Sequence, residues 1–168
     1  MLDVIKNRRN IRKFNGIEVE QDKIIEIIKS GMQAPSSKDS RPWEFVIVND
    51  RQTLDSLSKV HHAAKQLKNT KNCIVLLGNR NKFFKVGRWM LDLSACMENM
   101  LLEAVNQDVC AGWIGCFPKK VRMDYISEIL NLPEHIVPFC IIALGYSYEE
   151  KNEFIDKFDE SKIHLNKY

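Results

Sequence analysis

The chain has 168 residues and a mass of 19.6 kDa, which is the size of a single domain. Hydrophobic residues make up 45% of it and charged residues 28%, a globular composition that excludes a disordered chain and a disulfide-stapled miniprotein. The 25 Lys and Arg residues nearly balance the 22 Asp and Glu residues. The resulting net charge of +3 gives no indication of nucleic-acid binding.

The cysteines and the N-terminus bear on the cellular compartment. The five cysteines form no CxxC pair, and four of them lie in apolar runs where a thiol packs as a small hydrophobic group. No apolar signal core opens the sequence, and no later run approaches about 18 apolar residues. We therefore expect a cytoplasmic protein that has no membrane partner.

Hydrophobic periodicity predicts alternating helices and strands along the chain. Helices are predicted over 24–32, 53–68 and 86–106. Short apolar runs rich in β-branched residues predict four buried strands, at 45–48, 73–78, 109–117 and 138–145. This alternation alone favours a parallel α/β sheet, although periodicity does not fix strand direction.

The predicted helix 86–106 has one narrow polar stripe and is otherwise apolar. Such a helix is either the centre of a large core or the seam of an oligomer, and the modest chain length favours a seam that includes Met97 and Leu101. Glu98 stands off the stripe and is interpreted as a solvated or hydrogen-bonded residue without a catalytic role. The stripe contains Arg88, Asp92, Asn99, Glu103 and Asn106.

Three short segments could carry chemistry, and each also has a purely structural interpretation. Four cations within residues 8–13 form either a solvated basic face or a site for one phosphate. The loop 34–43, with two prolines and three hydroxyls, suits a small polar ligand or simply connects a helix to a strand. Glycines on both sides of Trp113 and Ile114 permit close backbone approach or mark a bulge.

The common nucleotide-binding and hydrolase fingerprints are absent from the sequence. It contains no GxGxxG, no GxxxxGK[ST] and no GxSxG motif. His61 and His62 are adjacent and lack carboxylate or thiolate partners at metal-ligand spacing, so we predict no metal site.

The order of four segments resembles one known family. RRNIRKF at 8–14 is followed by APSS at 34–37 with PW at 42–43, then by WIG at 113–115 and ALGY at 143–146. Over nearly the whole chain, this order is similar to that of the FMN-dependent nitroreductase-like oxidoreductases. Each motif is moderately specific, and their joint order is the strong signal.

The resemblance implies that the first segment binds the FMN phosphate and ribityl chain. The matching residues are Arg8, Arg9, Asn10 and Arg12. Asn10 stands where the family usually has Ser, so one phosphate hydrogen bond is expected to differ.

The resemblance also implies that the second segment comes from the other subunit and packs on the flavin, through Pro35, Ser36, Ser37 and Asp39. Asp39 stands where Asn is common, and a carboxylate cannot donate a hydrogen bond as an amide does. Arg41 is expected to compensate that negative charge.

The remaining site residues are implied in the same way. Backbone groups of Trp113, Ile114 and Gly115 would face the isoalloxazine, with an amide near Gly115 pointing at the flavin N5. Lys65 would reach the pyrimidine edge, where a cation stabilises the anionic reduced flavin. Lys157 matches a late basic residue on a tail that passes over the partner.

The implied fold is α+β, a three-layer α-β-α sandwich with a mainly antiparallel sheet, in a domain-exchanged homodimer. Residues 1–148 would form the FMN-binding domain, and residues 149–168 would form a C-terminal tail that wraps the partner subunit. On this view the apolar helix 86–106 becomes the seam of the dimer.

The implied activity is NAD(P)H-dependent two-electron reduction of nitroaromatics, quinones or similar small-molecule acceptors. We hypothesise a ping-pong cycle in which NADH or NADPH gives hydride to FMN and leaves before the acceptor binds. No side-chain acid or base is required. Two alternatives stay open: a non-catalytic FMN-binding or flavin-sensing protein of the same fold, and a structural protein whose site was lost through Asn10 and Asp39.

Overall fold

One four-stranded antiparallel sheet organises the chain, whose computed structural model describes residues 1–149 and 154–168. The strand order is β1-β2-β4-β3, and all three neighbouring pairs are antiparallel. The antiparallel sheet implied by the family resemblance is therefore confirmed, and the parallel sheet favoured by alternation alone is wrong. The strands are β1 Trp43–Val48, β2 Asn72–Asn79, β3 Cys110–Gly115 and β4 Ile136–Gly145.

Five α-helices and several 3-10 segments connect these strands in the described part of the chain. The α-helices are α1 Asp3–Asn7, α2 Gln21–Met32, α3 Arg51–Leu57, α4 Trp89–Asn106 and α5 Lys120–Ile129. The 3-10 segments are Ser37–Asp39, His62–Asn69, Arg80–Lys82 and Glu160–Lys162.

The continuous helix predicted over 53–68 is wrong in its middle. The helix α3 ends at Leu57, and a separate 3-10 segment begins at His62. His61 interrupts the helix because it is extended, with φ −168°, and its side chain accepts a hydrogen bond from the amide of Ala63 at 3.2 Å. A side chain that caps the next segment competes with continuation of the previous helix.

Helices cover both faces of the sheet, which gives three layers. Alternate strand residues point to opposite faces, so Ile74 and Leu76 pack with α2 and α4, whereas Cys73 and Val75 pack with α3 and α5. Four of the five cysteines are buried, as the apolar runs around them predicted. Burial raises the pKa of the Cys96 and Cys116 thiols to about 12, so neither is a thiolate at neutral pH.

The helix α4 is buried mainly by its own chain. Met97 is 0% and Leu101 3% exposed, because the sheet and α2 cover them. The prediction that these two residues lie at an intermolecular seam is therefore wrong. Ser30 and Asn99 also exchange hydrogen bonds across the contact with α2, at 3.3 and 3.2 Å. Part of the apolar surface that α4 leaves open is at its first turn, where Leu91 is exposed.

The C-terminal segment does not join this core. Every residue from 154 to 168 is exposed, including several large apolar side chains. Residues 150–153 of the predicted tail lie outside the described residues. Within the described ranges, no helix has the length and apolar character needed to cross a membrane.

Candidate functional site

The N-terminal segment lies along the outer edge of β3. Asn10 Oδ1 accepts a hydrogen bond from the Trp113 amide at 2.5 Å, and the Ile11 amide donates to the Ala111 carbonyl at 2.9 Å. An edge strand leaves alternate amides and carbonyls unpaired, and these two contacts satisfy them. The segment that carries the predicted phosphate-binding residues is thereby fixed against the strand that carries the predicted ring-facing residues.

Gly112 makes this close approach possible. A Cβ atom at this position would lie 2.5 Å from the Ile11 carbonyl oxygen and 2.3 Å from Gln66 Oε1. The close approach that the flanking glycines predicted therefore occurs at Gly112. Gln66 is buried and neighbours Lys65 in the 3-10 segment, so the same contact holds the segment that carries Lys65 near the β3 edge.

Gly115 leaves open space at the end of the same edge. Because Ala111 and Trp113 use their outward backbone groups, strand alternation turns the Gly115 amide and carbonyl outward too. The Gly115 carbonyl accepts from Arg122 Nη1 at 3.0 Å. Apart from its chain neighbours, no described heavy atom lies within 4 Å of the position a Cβ would take. A flat ring therefore has room to approach the Gly115 amide.

Positive charge gathers beside this edge. Arg8 Nε lies 3.2 Å from Glu98 Oε1, which matches the interpretation of Glu98 as a hydrogen-bonded residue. Arg9 Nη1 donates to the carbonyls of Lys6 and Arg8, at 2.6 and 2.8 Å, and Arg12 is exposed. The exposed guanidinium group of Arg12 and the half-buried groups of Arg8 and Arg9 lie next to an open strand edge, which suits an anion such as a phosphate.

The second predicted segment, the loop 35–41, is fixed by a buried carboxylate. Asp92, in the first turn of α4 and only 6% exposed, accepts from the Ser37 amide at 2.9 Å and from Ser37 Oγ at 3.1 Å. The loop backbone is strained, because Lys38, Asp39 and Arg41 have φ values of 56°, 53° and 44°. Gly, Asn and Asp adopt this left-handed backbone conformation readily, whereas Lys and Arg do not.

Arg41 forms the expected compensating pair with Asp39. Arg41 Nε and Nη2 donate to the two oxygens of the Asp39 carboxylate, at 2.8 and 2.6 Å. The hydrogen bonds from Arg41 lower the pKa of Asp39, and the positive charge adds to the effect. Asp39 is therefore ionised at neutral pH, and the positive charge of Arg41 compensates its negative charge.

A single chain does not bring all the predicted site residues together. Arg8, Asn10 and Trp113 are in contact at the β3 edge, whereas the loop 35–41 precedes β1 at the opposite edge of the sheet. Two strands lie between these edges, a separation of about 14 Å at the usual strand spacing. Lys157 lies in the exposed C-terminal segment.

Three residues near these segments had no signal in the sequence. Asp92 is predicted only as part of the polar stripe of the helix, yet it holds Ser37 from 55 positions away. Arg122 and Gln66 reach the β3 edge from segments that were not connected with it. The contacts of Asp92 and Gln66 join residues that are distant in the sequence, whereas Arg122 contacts Gly115 seven positions away. Hydrophobic spacing carries no information about any of these contacts.

His61 is a titratable group close to the open end of β3. Burial lowers its pKa, and the positive charge of Arg122 acts in the same direction. The Nδ1 atom accepts from Ala63, so the proton of the neutral ring is on Nε2. His61 is thus a neutral residue at physiological pH.

Comparison with known proteins identifies the family of this chain. The model of the Nitroreductase family matches residues 5–81 and 86–146. A Methanothermobacter thermautotrophicus protein with the provisional name NADH dehydrogenase/NAD(P)H nitroreductase is 34% identical over all of this chain and 87% of its own length.

Solved structures agree with this assignment. A protein from Clostridium acetobutylicum, provisionally named an NADH oxidase, is 42% identical with a TM-score of 0.94, covering 99% of this chain and 100% of that one. An FMN-dependent nitroreductase from Clostridium difficile is 32% identical with a TM-score of 0.90, and both chains are covered completely. The chain belongs to the nitroreductase family.

Proposed function

We propose that the protein is an FMN-dependent NAD(P)H oxidoreductase that reduces nitroaromatics, quinones or similar electron-poor small molecules. The observation that carries this proposal is the outer edge of β3. There an outward amide at Gly115 borders open space, and arginines 8, 9 and 12 lie along the adjoining segment. A phosphate at one end and a flat heterocycle at the other match this donor set.

Each residue of the edge has a role in holding FMN. Arg8, Arg9 and Arg12 supply positive charge for the phosphate. Because Asn10 Oδ1 is already bonded to Trp113, only its amide Nδ2 remains to donate to the ribityl chain or phosphate. Asn10 therefore differs from a serine in this position, but it still offers a hydrogen-bond donor.

FMN, when bound, accepts hydride from NADH or NADPH and passes two electrons to the acceptor, so a ping-pong cycle needs no protein nucleophile. The chain's own residues orient and polarise the ring. The outer side of the 113–115 backbone would face the ring, and the outward Gly115 N–H would donate to N5. The Trp113 amide is already bonded to Asn10, and the Gly115 carbonyl to Arg122. The ammonium group of Lys65 stabilises negative charge at the pyrimidine edge.

The second half of the site comes from another copy of the chain. The loop with Pro35, Ser36, Ser37 and Asp39 lies at the sheet edge opposite to β3, so a domain-exchanged homodimer would supply it from the partner. Lys157 would be supplied in the same way. The exposed apolar residues of the C-terminal segment support the proposal that 149–168 wraps the partner while 1–148 forms the cytoplasmic FMN domain.

The visible spectrum and a single turnover test this function. We expect a yellow protein that releases FMN at about one per chain, identified by mass. Under anaerobic conditions, NADH or NADPH should bleach the flavin, and a quinone or nitroaromatic should restore the colour. A flavin that stays oxidised with either nicotinamide would favour the non-catalytic alternative. A colourless protein that takes up no FMN would contradict the proposal.

A further inference from the structure

The segment 80–88, which we name the basic loop, carries a dense positive charge that the proposed function does not explain. Its sequence, RNKFFKVGR, contains four cations and no acidic residue. Lys82 lies 3.6 Å from Glu44. Arg80, Lys85 and Arg88 form no ion pair with any described residue.

The base of the basic loop is anchored, and its tip is presented to solvent. The ring of Phe83 stacks on Trp89 with centroids 4.7 Å apart, and it also lies against Gly78. Beyond this anchor, Phe84 is 42% exposed and Val86 is fully exposed. The Lys85 ammonium lies 5.6 Å from the centroid of the Phe84 ring. An apolar surface mixed with cations suits a ligand that has both aromatic and anionic parts.

The basic loop lies beside the loop proposed to meet the flavin. Arg88 immediately precedes α4, and Asp92, one turn later, holds the amide and hydroxyl of Ser37. Asp39 pairs with Arg41, and Asp92 is buried against Ser37, so neither carboxylate forms an ion pair with Arg88. A molecule approaching the loop 35–41 therefore meets the exposed guanidinium group of Arg88.

We propose that the basic loop binds the pyrophosphate of the reduced nicotinamide dinucleotide, an inference that rests on the proposed function. The dinucleotide extends well beyond its nicotinamide ring and carries two negative charges on the pyrophosphate. Neutral nitroaromatics and quinones carry no such charge, so the charge complementarity favours the electron donor over the acceptor.

The test compares two hydride donors that differ in their phosphates. The FMN-loaded protein is reduced anaerobically in a stopped-flow instrument by NADH or by reduced nicotinamide riboside, which lacks phosphate. The variant K85Q/R88Q removes two unpaired cations. The control K59Q/K71Q removes two exposed cations that lie outside the basic loop; Lys71 precedes β2, whereas the basic loop follows it.

We expect the second-order rate constant for NADH to fall about tenfold in K85Q/R88Q and less than twofold in the control, within the range of electrostatic steering. The rate constant for the riboside should change less than twofold in both variants. Raising the salt concentration should lower the NADH rate in the unchanged protein more than in K85Q/R88Q, because the Debye length falls from about 10 Å at 0.1 M to about 3 Å at 1 M.

The outcomes separate this inference from the proposed function. If the unchanged protein bound no flavin, or neither donor reduced it, the proposed function would fall and the inference with it. If both donors reduced the flavin but K85Q/R88Q left the NADH rate unchanged, or slowed both donors equally, only the basic-loop inference would be overturned. Slower reoxidation by a sulfonated quinone, with normal NADH reduction, would assign the loop to an anionic acceptor instead.

Discussion

The β3 edge and the loop 35–41 are both predicted to contact the cofactor, yet they are held in different ways. At the β3 edge, two segments that each have an ordinary backbone conformation share regular hydrogen bonds, such as Ile11 to Ala111. The loop has three non-glycine residues with positive φ, and one buried carboxylate, that of Asp92, fixes its start.

This contrast shows where the chain depends on single residues. The β3 edge relies on the absence of a side chain at Gly112, whereas the loop relies on the presence of one at Asp92. Neither segment reaches the other within the chain. Substitutions can therefore disrupt the β3 edge and the loop 35–41 separately, and the two sets of variants should differ in their effects on FMN binding and on stability.

The largest effect is expected from the arginines of the β3 edge. The double variant R8A/R12A should lower the affinity for FMN by about 3–6 kcal/mol, because two charge-assisted phosphate contacts of about 1.5–3 kcal/mol each are lost. Flavin titration followed by fluorescence measures this change. The double variant K59A/K71A controls for the loss of two positive charges. Unchanged FMN retention in R8A/R12A would rule out the phosphate assignment.

The next largest effect, on stability, is expected at Asp92, which anchors the loop 35–41 through Ser37. Asp92→Ala leaves the amide and hydroxyl of Ser37 without their acceptor, so the free energy of unfolding should fall by about 2–4 kcal/mol. Asp92→Asn keeps an acceptor oxygen and should lose less than half as much. Urea denaturation measures both variants. Equal losses in the two would show that the negative charge of Asp92, and not its acceptor oxygen, holds Ser37, which would contradict this account.

A pair of glycine variants tests the close approach at the β3 edge. Gly112→Ala places a methyl group against the Ile11 carbonyl and Gln66, so it should lower the free energy of unfolding by about 1–3 kcal/mol. Gly115→Ala meets open space and should change it by less than about 0.5 kcal/mol. Thermal denaturation of the apoprotein compares them. Similar melting temperatures for the two would contradict the contact.

The smallest effect depends on pH and concerns His61. Since burial lowers its pKa in the native state, the unfolded chain binds more protons near pH 6, and stability rises with pH. The contribution is present above the unfolded pKa of about 6.5 and is lost as the pH falls towards the lower native pKa. The variant His61→Asn keeps an acceptor for Ala63. Between pH 7.5 and 5 it should lose less stability than the unchanged protein, and parallel losses would contradict this.

Local patterns in the sequence predicted most of the elements but few of the site contacts. The strands β2 and β4 were predictable because they are buried apolar runs. The helix α5 was not predicted, since Ile126 is its only buried residue and its other core-facing apolar residues are only partly buried. Strand direction came from the family resemblance, because hydrophobic spacing is the same for parallel and antiparallel pairing.

Contacts of the candidate site were predictable where a residue type such as glycine indicates how closely another segment can approach. They were not predictable where two segments distant in the sequence meet. Glycines around Trp113 indicated a close approach, and the structure places Ile11 and Gln66 against Gly112. By contrast, the pairing of Asp92 with Ser37 joins positions that no local pattern relates.

The central claim, that two chains complete each cofactor site, is tested most directly by mixing two defective proteins. R8A/R12A lacks a working β3 edge, and Asp92→Ala lacks a working loop, so homodimers of either variant should bind FMN poorly. After co-expression with different tags, the purified heterodimer contains one site with an intact edge and an intact loop. We predict about one FMN per heterodimer and recovery of NADH turnover at that site. A heterodimer that binds no more FMN than its parents would contradict a site shared between chains.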